Sequence, residues 1–287
     1  MVATKQLSGL TLISCTNEGK SLANRCIWST IDRYYSHIFL DLEGEAMIRL
    51  LFLGLALILF QSQAIAAELR ASVGLALPPY IISDQNKGME LDIVREALAK
   101  KGHTLKTVYL PFKRVAAAFD SGETDAALTV NESSSIKNAV YSDSHITYQN
   151  VAIGLAAKKL KVKGVNDLGL YSVVAFQHAV QYLGADFANM AKRNSKYSEK
   201  AKQNTQISLL FSKRTDLVVM DINIYKYYKK LETRMDTSQP VDVFEVFEPT
   251  KYKVAFRDKK IRDDFNEGLK ALRASGRYKE IISSYVN

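Results

Sequence analysis

The sequence predicts an α/β protein made of two lobes that are joined by two extended crossovers. Three observations predict it. Strand-type alternation and helix-type spacing follow one another through residues 68–130, which calls for parallel strands with crossover helices. The unit "FDSGETDAALTV" (Phe119–Val130) has an echo in "FSKRTDLVVMD" (Phe211–Asp221). Each is a helix end, a polar turn with Thr-Asp, then a buried strand. No Gly/Ser-rich or Pro-rich linker separates the halves, so the connections are read as extended chain, Gln149–Lys158 outward and Phe247–Arg257 back.

The elements follow in order. Leu69, Ala71, Val73 and Leu75 alternate with other residues, the period of a strand, and "LPPY" breaks it. From Glu90, Leu91, Val94, Ala97 and Leu98 recur at helical spacing, and Gly102 supplies the stop. Thr104–Leu110 is a second strand closed by Pro111. A helix through Val115, Ala118 and Phe119 ends near Gly122, and Asp125–Val130 is the third strand. The second half reads as strand Ser172–Phe176, helix Ala179–Arg193, a helix around Ile207–Phe211 and strand Leu217–Met220. Val180, Leu183, Phe187 and Met190 stripe its first helix. Two helical stretches end the chain, one with Phe265, Leu269 and Leu272, the other with Tyr278, Ile281 and Ile282.

Ahead of these elements lies "LFLGLALILFQSQAIAAELR" (Leu51–Arg70). Its apolar run, Leu50–Phe60, is eleven residues, too short for a spanning helix of about 20 but suited to the apolar centre of an export leader. Arg49 precedes it and Ala64-Ile65-Ala66 offers the small-x-small cleavage pattern. Residues 47–67 are therefore read as a signal peptide cut after Ala66 or Ala67, with Met47 as the initiator. Residues 1–46 are read as an over-long gene start; a cytoplasmic extension with an uncleaved anchor is the alternative. The lobes are expected at 68–152 plus 250–287 and at 153–249. Both cysteines, Cys15 and Cys26, fall in 1–46, so the exported chain has no disulfide and no lipid attachment point. A freely soluble periplasmic monomer is expected.

The net charge of +9 raises the question of nucleic acid. The sharpest cluster, "YKYYKK" (Tyr225–Lys230), places Lys226, Lys229 and Lys230 on one helix face while Ile224, Tyr227 and Tyr228 pack inward. An exported chain meets no genome, so no nucleic-acid partner is expected. The charge suits anionic ligands or solubility.

Several stretches carry a family likeness. "LPPYII" with "KGMELDIVREALAKKG", "PFKRVAAAFDSGETDAAL", "VYSDSHITYQNVAIGLAAKK", "RTDLVVMDINIYKYY" and "YKVAFRDKKIRDDFNEGLKALRASGRYKEIISSYV" occur in this order. Together they resemble the bacterial extracellular solute-binding proteins of family 3, the amino-acid-type binding components of ABC importers. The resemblance covers nearly all of residues 68–287. It implies a two-lobed periplasmic binding protein (Venus-flytrap) fold, with two crossover strands as hinge and a small-molecule ligand between the lobes. It also implies an ABC transporter permease as partner, with any ATPase a separate subunit. Physics agrees: ligands of open parallel sheets lie beyond the strands' carboxyl ends, where helix N-termini offer free N–H groups.

Candidate ligand-binding residues follow from strand ends and the resemblance. Tyr80 matches a position where an aromatic ring covers the ligand, with loop packing as the alternative. Arg114 opens a helix, where a ligand anion would relieve its opposition to the dipole; a surface ion pair is the alternative. Thr129 and Asn131 end the third strand. Gln177 and His178 stand where the resemblance implies a small hydroxyl-bearing turn for an anion, although His178 also reads as an ordinary loop histidine. Asp221 matches the aspartate that pairs with a ligand amine, or else caps the following helix. One departure stands out. The resemblance implies an arginine that grips an α-carboxylate just after the third strand, but "TVNESSSIKNAVYSD" has Ser135 there and Lys137 as the nearest cation. A standard α-amino acid ligand is thereby in doubt.

Signatures of catalysis are missing from the sequence: there is no G-x-S-x-G, phosphate loop or H-E-x-x-H. No enzyme activity, catalytic residue, metal or cofactor is expected. Two alternatives stay open, a lyase or dehydratase on the same fold using Glu132 or His178 as acid or base, and an orphan receptor for a membrane sensor.

Overall fold

The computed structural model describes residues 66–287. The extension at 1–46 and the leader at 47–67 lie outside the described residues, apart from Ala66 and Ala67. Among the described residues no helix is long and apolar enough to cross a membrane.

Strand β1 (Glu68–Gly74) buries Leu69, Ala71 and Val73. Its alternation ends at Leu75, which is 51% exposed beyond the strand. The chain then turns through the small hairpin β2 (Ala76–Leu77) and β3 (Ile81–Ile82). Helix α1 (Met89–Ala99) starts on that hairpin: the carbonyls of Pro79 and Tyr80 accept from the N–H groups of Met89 and Glu90. Gly88, at φ 144°, makes this join possible. A Cβ there would sit 2.1 Å from the Tyr80 carbonyl oxygen. β4 (Thr104–Leu110), α2 (Phe112–Asp120) and β5 (Ala126–Val130) complete the first parallel unit. β1 pairs in parallel with both β4 and β5.

Beyond β5 the chain adds β6 (Val140–Tyr141) and β7 (Ile146–Tyr148), then crosses into β8 (Asn150–Leu155). β9 (Val173–Phe176) leads to α3 (Ala179–Tyr182) and α4 (Ala185–Arg193). The sequence predicts one helix across Ala179–Arg193. The structure breaks it at Gly184, which takes φ 87° and restarts the helix in a new direction. Phe187 and Met190 are buried, whereas Val180 and Leu183 are only half-buried. β10 (Tyr197–Lys200), α5 (Asn204–Phe211), β11 (Leu217–Asp221), α6 (Ile222–Leu231) and β12 (Val241–Phe244) follow. β13 (Thr250–Phe256) returns to the first sheet, and α7 (Lys259–Ala274) and α8 (Arg277–Val286) close the chain. In α6 the inward residues are Ile224 and Tyr225, while Tyr227 and Tyr228 are half-buried.

Two sheets result. The first has the order β4-β1-β5-β13-β6, with β7 also on β13; the second has the order β10-β9-β11-β8-β12. In each, parallel strands built by crossovers are joined by antiparallel strands from the connections. The chain passes between them twice, from Tyr148 to Asn150 and from Phe244 to Thr250. Gln149 ties the passages together, its Nε2 donating to the carbonyls of Asn150 (2.9 Å) and Phe247 (2.8 Å).

One apolar cluster runs from the first sheet and its helices, through Tyr148, Val151 and Ile153, to Ile207, Leu210, Met220 and Ile224 of the second unit. A smaller cluster fills the far face of the second sheet around Leu168, Val173, Phe187 and Val219. Each fully buried large aliphatic side chain contributes about 1.5–3 kcal/mol. α7 packs closely on α1 because Gly268 has no side chain, and a Cβ there would lie 2.0 Å from the Ala97 carbonyl oxygen.

Candidate functional site

The strand ends of the two sheets meet at a buried polar cluster beside the double crossing. β11 ends at Asp221, which caps α6 and is 3% exposed. Its Oδ1 accepts from the N–H groups of Asn223 (2.8 Å) and Ile224 (3.1 Å) and from the Tyr80 hydroxyl (2.8 Å). Its Oδ2 accepts from the Gln149 N–H (2.8 Å). Burial pushes the Asp221 carboxyl up to about 6, and the Tyr80 hydroxyl and the three backbone donors hold it from going higher.

Tyr80 therefore reaches from the β2–β3 hairpin of the first unit to the end of β11 in the second. It is fully buried. Its hydroxyl also accepts from Asn223 Nδ2 at 3.1 Å, and its ring stacks on Tyr148, with centroids 3.7 Å apart. Burial, and next the Asp221 charge, raise the Tyr80 phenol well above its ordinary range, so it stays a donor. Tyr148 is raised in the same way, by burial and then by Glu90.

Glu90, in the first turn of α1, is fully buried. It accepts from Tyr148 Oη (2.8 Å) and Thr129 Oγ1 (2.8 Å), and its Oε1 lies 3.0 Å from His145 Nε2. The order Glu90, Tyr148, Tyr80, Asp221 is thus a continuous chain of contacts, two carboxylates at the ends and two stacked tyrosines between them, spanning both units. A buried carboxylate needs such partners, since leaving one unmet costs several kcal/mol.

The residues singled out from sequence fall into two groups. Tyr80, Thr129 and Asp221 come together in this cluster. Thr129 takes φ 58° and lies within β5. Asn131 follows β5 and caps a 3-10 turn, its Oδ1 accepting from the Ser133 N–H at 3.1 Å. Arg114 is exposed in the first turn of α2, and no ion pair involving it occurs among the described residues. Gln177 and His178 are exposed between β9 and α3, and His178 takes φ 65°. The backbone N–H groups of His178 (2.6 Å) and Val180 (3.3 Å) donate to the Glu199 carboxylate on β10, which also accepts from Tyr197 Oη (2.7 Å). Those donors hold Glu199 below its ordinary value although burial works against them.

Sequence reasoning missed Glu90, His145, Tyr148, Gln149 and Glu199. Glu90 had a signal: an acidic residue between Met89 and Leu91 on the buried face of an amphipathic helix. For the other four, only tertiary contacts identify them. Among the described residues no group of three or more His, Cys, Asp or Glu side chains is placed to hold a metal. A solvent-open hollow of about 380 Å³ is lined by Ile82, Lys87, Tyr227, Lys230, Leu231 and Tyr285. It does not touch the strand ends, and the strand-end cluster is the better candidate because it carries the convergent polar groups.

Comparison with solved structures finds the same fold. An ancestral arginine-binding protein bound to arginine aligns with a TM-score of 0.54 at 20% identity, over 77% of this chain and 98% of that one. The GluR0 ligand-binding core in complex with L-glutamate aligns with a TM-score of 0.57 at 17% identity, over 79% and 100%. The substrate-binding protein of an amino acid ABC transporter aligns with a TM-score of 0.50 at 18% identity, over 76% and 98%. No curated protein matches in sequence. A family model matches residues 69–287. With its two crossed α/β units and that match, the chain belongs to the bacterial extracellular solute-binding proteins, family 3.

Proposed function

We propose that the chain is a periplasmic receptor that captures a small solute between two lobes, 68–149 plus 250–287 and 150–249, the expected boundary at 152/153 falling inside β8, and presents it to an ABC importer. The single observation that carries this reading is the junction of the two units. They share the two crossings clasped by Gln149 and meet at the strand ends, where Tyr80 of one unit donates to Asp221 of the other. Two α/β units joined by two passages of chain are the construction of a hinge. Ligand contacts from both sides stabilise the closed arrangement. The importer reading is supported by a family whose members are solute-binding proteins and by the structural likeness to the substrate-binding protein of an amino acid ABC transporter. Export is supported by the leader pattern at 47–67.

Within this reading Gln177, His178, Asn131 and Arg114 are the solvent-accessible cleft residues, and Tyr80, Thr129 and Asp221 form the floor. The test is a thermal-shift screen of amino acids, polyamines, small peptides, sugars and organic acids. A solute that binds only the folded form raises Tm by mass action. Saturable binding of an unchanged compound supports capture; chemical turnover of the compound would replace capture with catalysis.

A further inference from the structure

The two ends of the second sheet differ in chemistry. The carboxyl ends of β9 and β11 carry Gln177, His178 and Asp221, the side of the candidate site. The opposite end is built by the amino ends of β9, β10 and β11 and by the carboxyl end of β8, which runs antiparallel to β11. Tertiary contacts draw the loops of this end together. Tyr171 Oη accepts from the Lys161 N–H (2.9 Å), and the Tyr171 carbonyl accepts from Asn194 Nδ2 (2.9 Å). The Lys196 carbonyl accepts from the Val173 N–H (3.2 Å). Lys158 Nζ donates to the Thr215 carbonyl (3.2 Å) and pairs with Asp216.

These loops are strongly basic. Lys159, Lys161 and Lys163 follow β8, and all are exposed. Lys192, Arg193 and Lys196, exposed as well, precede β10. Exposed Lys213 and Arg214 precede β11. None of these eight enters an ion pair or a side-chain hydrogen bond among the described residues. The carboxylates of this end do not balance them. Asp216 pairs with Lys158 and accepts from Ser172. Asp167 accepts from the N–H groups of Lys163 (2.8 Å) and Gly164 (3.1 Å). Asp236 is exposed in the loop before β12, and Asp242 is half-buried in β12, whose first residue pairs with the last of β8. Nine cations, Lys158 included, against these four carboxylates leave the end at +5.

An apolar residue stands among the cations. Leu170 ends the 3-10 turn Val165–Leu170, next to Tyr171. It is 75% exposed, the most of any large apolar side chain among the described residues. An acidic protein would have to match eight cations held by three separate loops on long, flexible side chains, and offer a hollow for Leu170. A bilayer rich in anionic lipid matches any such spacing, because its headgroups move, and its interface takes up the leucine. An apolar anchor within a polybasic patch is the pair of signals that holds a protein reversibly on such a surface.

We infer that this basic end of the second lobe docks on an anionic lipid surface, with its cations at the headgroup phosphates and Leu170 inserted between them. Docking there leaves the strand-end cluster, at the other end of the same strands, unobstructed. It stands apart from solute capture, and neither depends on the other.

The test is co-sedimentation of the full chain with vesicles of phosphatidylcholine, alone or with about 30% phosphatidylglycerol. Residues 1–67 carry five basic and five acidic side chains, so they add no preference for the anionic lipid, and the readout is the ratio of the two partition coefficients. Each cation near an anionic surface is worth up to about fivefold. A ratio of at least about tenfold is expected at about 0.05 M salt, falling below about twofold at about 0.5 M as the charges are screened. This salt dependence needs no variant, so it stands even where one fails to fold. Lys159→Glu, Lys161→Glu and Lys163→Glu combined are expected to abolish the preference. The same reversal at Lys106, Lys270 and Lys279, exposed on the first lobe, should change it by less than about threefold. Equal loss from both sets would mean that net charge and not this end drives binding, and would overturn the assignment. Leu170→Ser should weaken partitioning about threefold at constant charge; an unchanged value would overturn the leucine's insertion. A wild-type ratio near one would overturn lipid docking outright, and retention on immobilised polyglutamate would then assign this end to an acidic protein instead.

Discussion

Removing one oxygen atom, by Tyr80→Phe, tests the junction directly. The ring and its 3.7 Å stack on Tyr148 are kept. Lost are the 2.8 Å bond to the Asp221 carboxylate and the acceptor for Asn223 Nδ2. Hydrogen bonds to charged groups contribute about 1.5–3 kcal/mol. Asp221 keeps three backbone donors, from Gln149, Asn223 and Ile224, so a value toward the lower end, about 2 kcal/mol, is expected. For a domain of this size 1 kcal/mol corresponds to about 2–4 °C, so Tm should fall by about 4–8 °C. Urea unfolding of wild type, Tyr80→Phe, Asp221→Asn and the double variant gives the coupling energy. A coupling of about 1.5 kcal/mol or more is expected. If Tyr80→Phe leaves stability within about 0.3 kcal/mol, or if the two substitutions add independently, the bond across the junction does not do what is argued for it.

Further expectations follow from the same geometry. The Asp221 carboxyl is raised to about 6 in the folded state from an ordinary 3.8, so its titration contributes stability that is fully present at acid pH and is lost as pH rises through 6. Its neighbours Tyr80, Tyr148 and Tyr252 stay neutral across that range. The stability difference between wild type and Asp221→Asn should therefore shift in favour of wild type by about 2 kcal/mol between pH 7 and pH 4, and a difference flat with pH would contradict it. Glu90→Ala strips the shared partner from Thr129, His145 and Tyr148 and should cost about 3–5 kcal/mol, read by chemical denaturation. Gly268→Ala pushes α7 off α1 and should cost at least 1–3 kcal/mol as overpacking, whereas the same change at the half-buried Gly164, where a Cβ would meet nothing within 4 Å, should stay within about 0.5 kcal/mol.

What the sequence could disclose depended on periodicity. The strands and helices of the first unit carry clean patterns and lie where these place them, as with β1, α1 and β5. β10 (Tyr197–Lys200) escaped because "YSEK" has no apolar alternation; as an edge strand with four half-buried residues it needs none. The break at Gly184 escaped because the apolar stripe of Val180, Leu183 and Phe187 continues across it, and only the positive φ disrupts the helix. At the site, Asp221 was visible as a carboxylate at a strand end, with capping left open as an alternative, and it does cap α6. Its partner Tyr80 is 141 residues away, and no local pattern joins them. Glu90, His145 and Tyr148 likewise meet only through the sheet registry. The filling of Glu199 by the His178 turn was equally invisible, since it depends on β10 pairing with β9.

The most direct measurement is the distance across the cleft. With Cys15 and Cys26 replaced by serine, spin labels at Lys113 and Gln181, both exposed and one in each lobe, report it by pulsed electron resonance. Adding a compound that raises Tm should shift the distribution to a single, shorter and narrower distance. One distribution that no compound changes, saturating binder included, would mean that the two lobes do not clamp a solute.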